Sequence, residues 1–299
     1  MAVPQIASSH IICVTETGGG GCFASINQAL DAAGKLDTIR VAKGNYEENL
    51  VIEKNVVLEG GWDEAFKKRD VDKFETTIQG DNTSSVITVK AGYNVTIDGF
   101  SITRGNASDS LGWGGGIRVG ESFNSEGYTI IRNNTIYKNV AADSSGQGEG
   151  GGIHVYNHTA LIENNRIFNN SAQRVAGESG KGGGVCLGWR SNVTLKNNDI
   201  STNTASISPV APSSGSGGGV YSDSTDITLE NNRIYGNLAA RNGLGYGGGV
   251  YLSGYLLNNS ITNNTASRDG EGHGGGAYIE YGPRVQENYI AGNTASANA

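Results

Sequence analysis

Two neighbouring stretches decide the fold: Gly150-Gly151-Gly152-Ile153-His154-Val155 and Ile162-Glu163-Asn164-Asn165-Arg166-Ile167-Phe168-Asn169-Asn170-Ser171-Ala172. The first is a Gly-Gly-Gly-hydrophobic block, and it recurs at Gly114–Ile117, Gly182–Val185, Gly217–Val220, Gly247–Val250 and Gly274–Ala277. The second has the form hydrophobic-x-Asn-Asn-x-Ile-x-x-Asn-x-Ala. It returns at Ile131–Ala141, Leu195–Ala205, Leu229–Ala239, Leu256–Ala266 and Val285–Ala295, the last with Glu287 for the first Asn. A weaker forerunner lies at Ile97–Ala107. Block starts at 114, 150, 182, 217, 247 and 274 are 36, 32, 35, 30 and 27 residues apart, and nearly all the variation falls between the Ala and the next Gly block. A repeat with a fixed motif and a variable insertion is the signature of a stacked array.

Within each repeat the apolar residues alternate, as in Ile117/Val119, Ile153/Val155 and Val185/Leu187. That is the strand period of two. Each strand is short and bounded by Gly or Asn, so it cannot bury a face alone. Stacked coils solve this by pairing every strand with its equivalent one turn along, about 4.8 Å away. Leucine-rich and ankyrin arrays need a helical segment in each repeat, and none is visible; propeller blades need hairpin signals inside each repeat. The sequence therefore predicts an all-β parallel β-helix, with residues 1–95 as an N-terminal cap and first coils and 96–299 as repeat coils.

Composition agrees. The chain has 47 Gly in 299 residues, about a tenth of it is Asn, and there are only 4 Pro. Gly and Asn both weaken helix interiors. With 22 Lys+Arg against 29 Asp+Glu the formal charge is −7, which lacks the basic footprint of a nucleic-acid binder. No apolar run approaches the roughly 20 residues of a membrane-spanning helix. Met1-Ala2-Val3-Pro4 carries neither a basic n-region nor an apolar h-region, so export would rest on a leader already removed. The sequence stops at Ala299 straight after a complete motif and offers no C-terminal cap, which reads as a fragment of a longer protein.

Stacking turns repeat positions into columns. Asn134, Asn165, Asn198, Asn232, Asn259 and Asn288 fall at one bend, and Asn139, Asn170, Asn203, Asn237, Asn264 and Asn293 at another. Asn tolerates left-handed backbone, and stacked amides bond along the axis. Arg132, Glu163, Lys196 and Glu230 alternate charge on neighbouring strands. These columns need no function to explain them, and the Asn-x-Ser/Thr triplets at Asn133 and Asn169 follow from the ladders. In the cap, Ser25–Gly34 reads as one short α-helix, with Ser25 as N-cap, Gln28 three residues on, and Gly34 as the stop. Ile26, Ala29, Leu30 and Ala33 share its covering face, which shields terminal strand edges from other chains. Ile39–Val41, Val51–Leu58 and Val86–Val89 are the first strands. Cys13 and Cys22 bracket a Gly-rich loop as a disulfide, two free thiols or a metal pair; Cys186 has no obvious partner.

The alternation of Gly-Gly-x-Ile with Ile/Phe-x-x-Asn, as in Gly151-Gly152-Ile153 and Phe168-Asn169-Asn170-Ser171, resembles the repeats of chlamydial polymorphic outer-membrane proteins. Here Gly replaces their Ala, and Ile usually replaces their Phe. The cap residues Gly60-Gly61-Trp62-Asp63, Phe66, Arg69-Asp70 and Thr77-Ile78-Gln79-Gly80 resemble those of secreted bacterial right-handed β-helix proteins of the pectate-lyase-like superfamily. The likeness implies a right-handed helix and an extracellular or cell-surface location. It does not choose an activity, since that superfamily holds lyases, hydrolases and non-catalytic adhesins.

Chemistry belongs beside the variable segments. Trp113, Glu149, Lys181, Ser216, Tyr246 and His273 precede the Gly blocks; Arg118, His154, Cys186, Tyr221, Tyr251 and Tyr278 follow them at outward positions. Tyr221, Tyr251 and Tyr278, with Trp113 and Arg118, would form an exposed strip for stacking on sugar rings; the competing reading is that stacked Tyr merely stabilises the coils. A lyase acting on uronic-acid polymers by β-elimination needs a base and a cation facing the carboxylate. Lys181, His154, His273 and Tyr246 are its proton-transfer candidates, Arg118 its charge, and Glu149–Lys181 also reads as a plain ion pair. The paired carboxylates of a hydrolase do not stand out. No metal or cofactor site is assigned; Asp109, Asp143 and Glu178 leave calcium open without matching a calcium motif. The first expectation is an adhesin-like face binding a polysaccharide or cell-surface ligand, the second the lyase, and the third a structural surface or filament component that self-associates.

Overall fold

The computed structural model describes residues 9–108, 111–120, 127–144, 146–208, 213–280 and 284–296. The chain winds as a parallel β-helix. One coil shows the plan: Tyr128–Arg132, Thr135–Tyr137, Val140–Ala142, Gly148–Glu149 and Ile153–Val155 are five short strands, each paired in parallel with the same segment of the next coil. Repeated along the axis they build sheets of ten, nine, six, five and eight strands. Register is set by alternation, since a one-residue slip would turn every buried side chain outward. Ile131, Ile162, Leu195, Leu229 and Leu256 form one interior column, and Ile102, Ile136, Ile167, Ile200, Ile234 and Ile261 another, all fully buried. Ala141, Ala172, Ala205, Ala239 and Ala266 line a third. The backbone of this column is approached closely by the glycine strand of the preceding coil: a Cβ at Gly180 would collide with the Ala205 carbonyl oxygen.

Both Asn ladders form. Asn165 Oδ1 accepts from the backbone N–H and the side-chain amide of Asn134, at 2.9 and 3.1 Å, while its own amide donates to Ile131 O and to Asn198 Oδ1. The pattern repeats at every rung to Asn288, and again in the second ladder to Asn293. The left-handed residue is the one before the ladder Asn, which differs from the expectation. Asn133, Asn164, Asn197, Asn231, Asn258 and Glu287 have φ of 54 to 57°, whereas the ladder amides must point inward to satisfy buried backbone. The Arg132–Glu163–Lys196–Glu230 column pairs as expected, with Lys196 Nζ 3.3 Å from Glu163.

Helix α1 (Ile26–Ala32) packs Ile26, Ala29 and Leu30 against the strands Ile11–Val14, Thr38–Ala42 and Leu50–Ile52. Ser25 Oγ caps it by accepting from Gln28 N. The capping carboxylate comes from Glu48, which accepts from Ile26 N and Asn27 N, and not from Gln28. Nor does Gly34 end the helix by turning left-handed. Ala33 is already extended, and Lys54 Nζ from the next coil donates to the carbonyls of Leu30, Asp31 and Ala33. That same turn divides the expected strand Val51–Leu58 into Leu50–Ile52 and Val56–Trp62. Cys13 and Cys22 are joined by a disulfide, which closes the three alternatives for that loop.

Candidate functional site

The Gly triplets fold two side-chain columns towards each other along one side of the helix, and the corner between them is the candidate groove. Gly150, at φ 69°, reverses the chain after Glu149, and a Cβ there would strike the Ile153 carbonyl oxygen. The strands before and after each triplet therefore meet at a sharp angle, and their outward side chains face each other. One wall carries Trp113, Glu149, Lys181, Ser216, Tyr246 and His273, paired in sequence from coil to coil. The other carries Arg118, His154, Cys186, Tyr221, Tyr251 and Tyr278, again rung by rung. Both columns stand as the sequence placed them.

Their exposure does not. His154 and Cys186 are 0% and 1% exposed, Arg118 is buried, and Tyr221 is 8% exposed. The expected exposed strip is a stack of rings: Tyr221 and Tyr251 stack with centroids 4.9 Å apart, and Tyr251 and Tyr278 follow at 5.2 Å. Ring faces are used up by neighbours, and edges and hydroxyls are what line the groove. Tyr246 stacks on His273 at 5.1 Å and meets Tyr278 edge-on at 5.3 Å, closing that end.

The other end is aromatic and charged. Trp113 stacks on His154 at 4.9 Å and on Tyr156 at 5.3 Å, and Tyr156 leans towards the exposed Trp189. Glu149 sits between two cations or potential cations: Oε1 is 3.2 Å from Lys181 Nζ and Oε2 is 3.3 Å from His154 Nε2. Burial pushes the Glu149 carboxyl up, but His154 and Lys181 prevail and leave it below the usual range. Burial works against the Lys181 ammonium, and Glu149 again prevails, so Lys181 is held protonated. That conflicts with a role as base. Lys181 also lies 5.1 Å over the Tyr221 ring, joining the two ends. Burial, with Glu149 and Asp223 nearby, drives the Cys186 thiol well above its ordinary value. Asp223 is an exposed residue, yet desolvation raises its carboxyl, with Lys181 opposing.

His273 differs from His154. It is 44% exposed and lies 3.0 Å from Glu271. Of the calcium candidates, Asp109 lies outside the described residues. Asp143 is occupied by Asn106 and Ser108, and it and Glu178 join no metal-like cluster among the described residues. The cluster that does exist there is Glu149, His154 and Cys186, whose donor atoms all lie within 4.8 Å of one another. The sequence places these residues in two columns and offers Cys186 no obvious partner. Cys186 and His154 are adjacent rungs, which was readable; Glu149 joins them only because the Gly turn folds its wall over theirs. A hollow of about 500 Å³ lies beside the disulfide loop, lined by Glu16, Lys43 and Glu64, of which Lys43 and Glu64 pair with each other.

Residues 115–299 match the family model described as "Right handed beta helix region". No curated protein is similar enough in sequence to count as a relative. Among solved structures, pectin methylesterase PemA from Erwinia chrysanthemi superposes with a TM-score of 0.51 at 11% identity, covering 97% of this chain and 93% of its own. Pectate lyase Pel9A gives 0.43 at 12% identity, covering 98% and 79%. An alginate lyase from Paenibacillus sp. gives 0.38 at 14%, covering 96% and 99%. Of these, the first superposes closely enough to bear on the fold, and at 11% identity it bears on nothing else.

Proposed function

The chain belongs to the right-handed β-helix family, and from that premise we propose that it is an exported, surface-acting member whose Gly-flanked groove binds an extended polysaccharide. The observation that carries this reading is the rung spacing. Tyr221, Tyr251 and Tyr278 follow one another one per coil on the same wall, with ring centroids 4.9 and 5.2 Å apart, close to the length of one sugar unit in an extended chain. Tyr edges and hydroxyls, with Lys181 among them, offer hydrogen bonds and a cation to a sugar's hydroxyls or carboxylate. A binding face of this kind fits an adhesin-like role.

β-Elimination on uronic-acid polymers is the second reading, and His273 favours it. Among the described groove residues it is the exposed imidazole, and Glu271 can orient it.

One experiment separates the two. The purified chain is run through native gels cast with pectin, polygalacturonate, alginate and neutral glucans, and incubated with each polymer with and without calcium while ultraviolet absorbance reports unsaturated uronates. Retarded migration that Tyr251→Ala reduces, with flat absorbance, supports the binder. Rising absorbance that His273→Ala abolishes replaces it with the lyase. Neither signal on any polymer ends both readings and leaves a structural, self-associating surface component.

A further inference from the structure

We propose that Glu149, His154 and Cys186 form a zinc site in the floor of the groove. The three arrive by a short route. Glu149 ends the strand Gly148–Glu149, Gly150 reverses the chain, His154 returns on the next strand, and Cys186 is the register partner of His154 one coil along. One carboxylate oxygen, one ring nitrogen and the thiol sulfur lie within 4.8 Å of one another. Zinc holds such donors at about 2.0 to 2.3 Å, which places them about 3.5 Å apart, so closure needs side-chain shifts of about 1 Å.

His154 supplies an independent observation. It is fully buried, and neither ring nitrogen has a hydrogen-bond partner: Nε2 is near Glu149 but not aligned for a bond, and Nδ1 faces none. Buried polar groups in that state cost free energy and call for an explanation. A metal ion removes the cost. The donor set selects the metal: calcium and magnesium take oxygen ligands alone, and the carboxylate disfavours copper(I), whereas zinc accepts oxygen, imidazole nitrogen and thiolate together. Charge also closes, since carboxylate and thiolate match the dication. Glu149 is already divided for this purpose. Oε2 faces His154, while Oε1 stays with Lys181, which becomes the outer partner that orients the ligand. Three protein donors leave a fourth position for water or a ligand oxygen entering the groove. The site stands whether or not the groove binds a polysaccharide.

The full chain, stripped of metal with a chelator, is titrated with Zn²⁺ by calorimetry and with Co²⁺ by absorbance. Because Cys13 and Cys22 are joined and Cys186 is the remaining cysteine, a thiolate-to-cobalt charge-transfer band reports Cys186 alone. The expected result is one equivalent of Zn²⁺ and that band. Cys186→Ala should abolish the band and weaken zinc by at least about 100-fold, more than loss of an outer partner costs. Circular dichroism checks that the variant folds. If it does not, Glu149→Gln at the less buried position takes its place, with at least a 10-fold loss expected on the same grounds. Absence of stoichiometric binding, cobalt binding without the band, or affinity that survives the substitution overturns the proposal; in the last case the ion sits elsewhere, as at His273 and Glu271.

Discussion

The Asn ladders and the groove are built on the same coils, yet their columns behave in opposite ways. Six successive rungs of the first ladder carry Asn, and all but the terminal Asn288 are at most 2% exposed. Six successive rungs of one groove wall carry Arg118, His154, Cys186, Tyr221, Tyr251 and Tyr278, of which His154 and Cys186 are equally buried. A bend that recurs poses the same hydrogen-bonding problem at each coil and receives one answer. The groove floor poses no such problem, so its buried His, Cys and Arg are not called for by the winding of the chain. Constancy down a column marks what the fold requires, and variation within a buried column marks what something else has chosen.

The sharpest way to break that contrast is to substitute one rung of each. Asn198 Oδ1 accepts from Asn165 N and Nδ2, and its amide donates to Ile162 O and Asn232 Oδ1. Asn198→Leu strands several buried groups at about 1–3 kcal/mol each, so a loss of about 4 kcal/mol is expected in denaturant unfolding. Cys186→Ala removes one sulfur from a well-packed site and should cost about 1 kcal/mol. Comparable losses would show that the groove column is structural after all.

A pH series tests buried polar groups that lie off both columns. His158 is 2% exposed, its Nε2 pairs with Thr129 Oγ1 at 3.0 Å, and burial lowers its pKa from 6.5 to about 4. The unfolded chain binds this proton below pH 6.5 and the folded chain only below about 4. Its stability contribution is therefore full above 6.5 and is lost as pH falls from 6.5 to 4, about 3 kcal/mol in all. His158→Gln should flatten that limb. Asp98 works in a lower window. Burial opposes its ionisation, but Arg69 at 2.8 Å, Asn133 and Arg132 at 2.9 Å hold its carboxyl below 3.8. What it contributes is present above the unfolded value and lost as pH falls through the depressed one. A second step in the acid unfolding curve, removed by Asp98→Asn, is the expected record.

Much of this was legible in the sequence because a solenoid converts spacing into contact. Residues 31 to 34 apart, such as Asn134 and Asn165, Asn165 and Asn198, and Asn198 and Asn232, became neighbours as soon as the repeat was aligned. What stayed hidden runs across a coil. The repeat alignment says nothing of how sharply Gly150 turns, and so nothing of Glu149 lying over His154 and Cys186. It shows Tyr in three rungs, but the 4.9 and 5.2 Å stacks that hide the ring faces depend on side-chain rotation about the strand. The helix partners Glu48 and Lys54 come from later in the chain and follow no period.

The smallest expected effect probes the residue that precedes each second-ladder Asn. Lys138, Asn169, Thr202, Gly236, Asn263 and Gly292 all have φ between 52 and 63°. Gly adopts this region freely and Asn with little penalty, whereas a β-branched residue there is strained. Thr202, at φ 52°, is the β-branched member, and its hydroxyl turns back onto the Ser201 carbonyl at 2.7 Å. The position lies outside the ladder's own bonds, so replacement relieves backbone strain without disturbing stacked amides. Thr202→Asn should stabilise the chain by about 1 kcal/mol, read as a raised unfolding midpoint with unchanged denaturant slope. The same change at Lys138, which is not β-branched, should gain less. Equal gains at both would mean that the strain lies in the left-handed backbone itself and that side-chain branching is irrelevant at this bend.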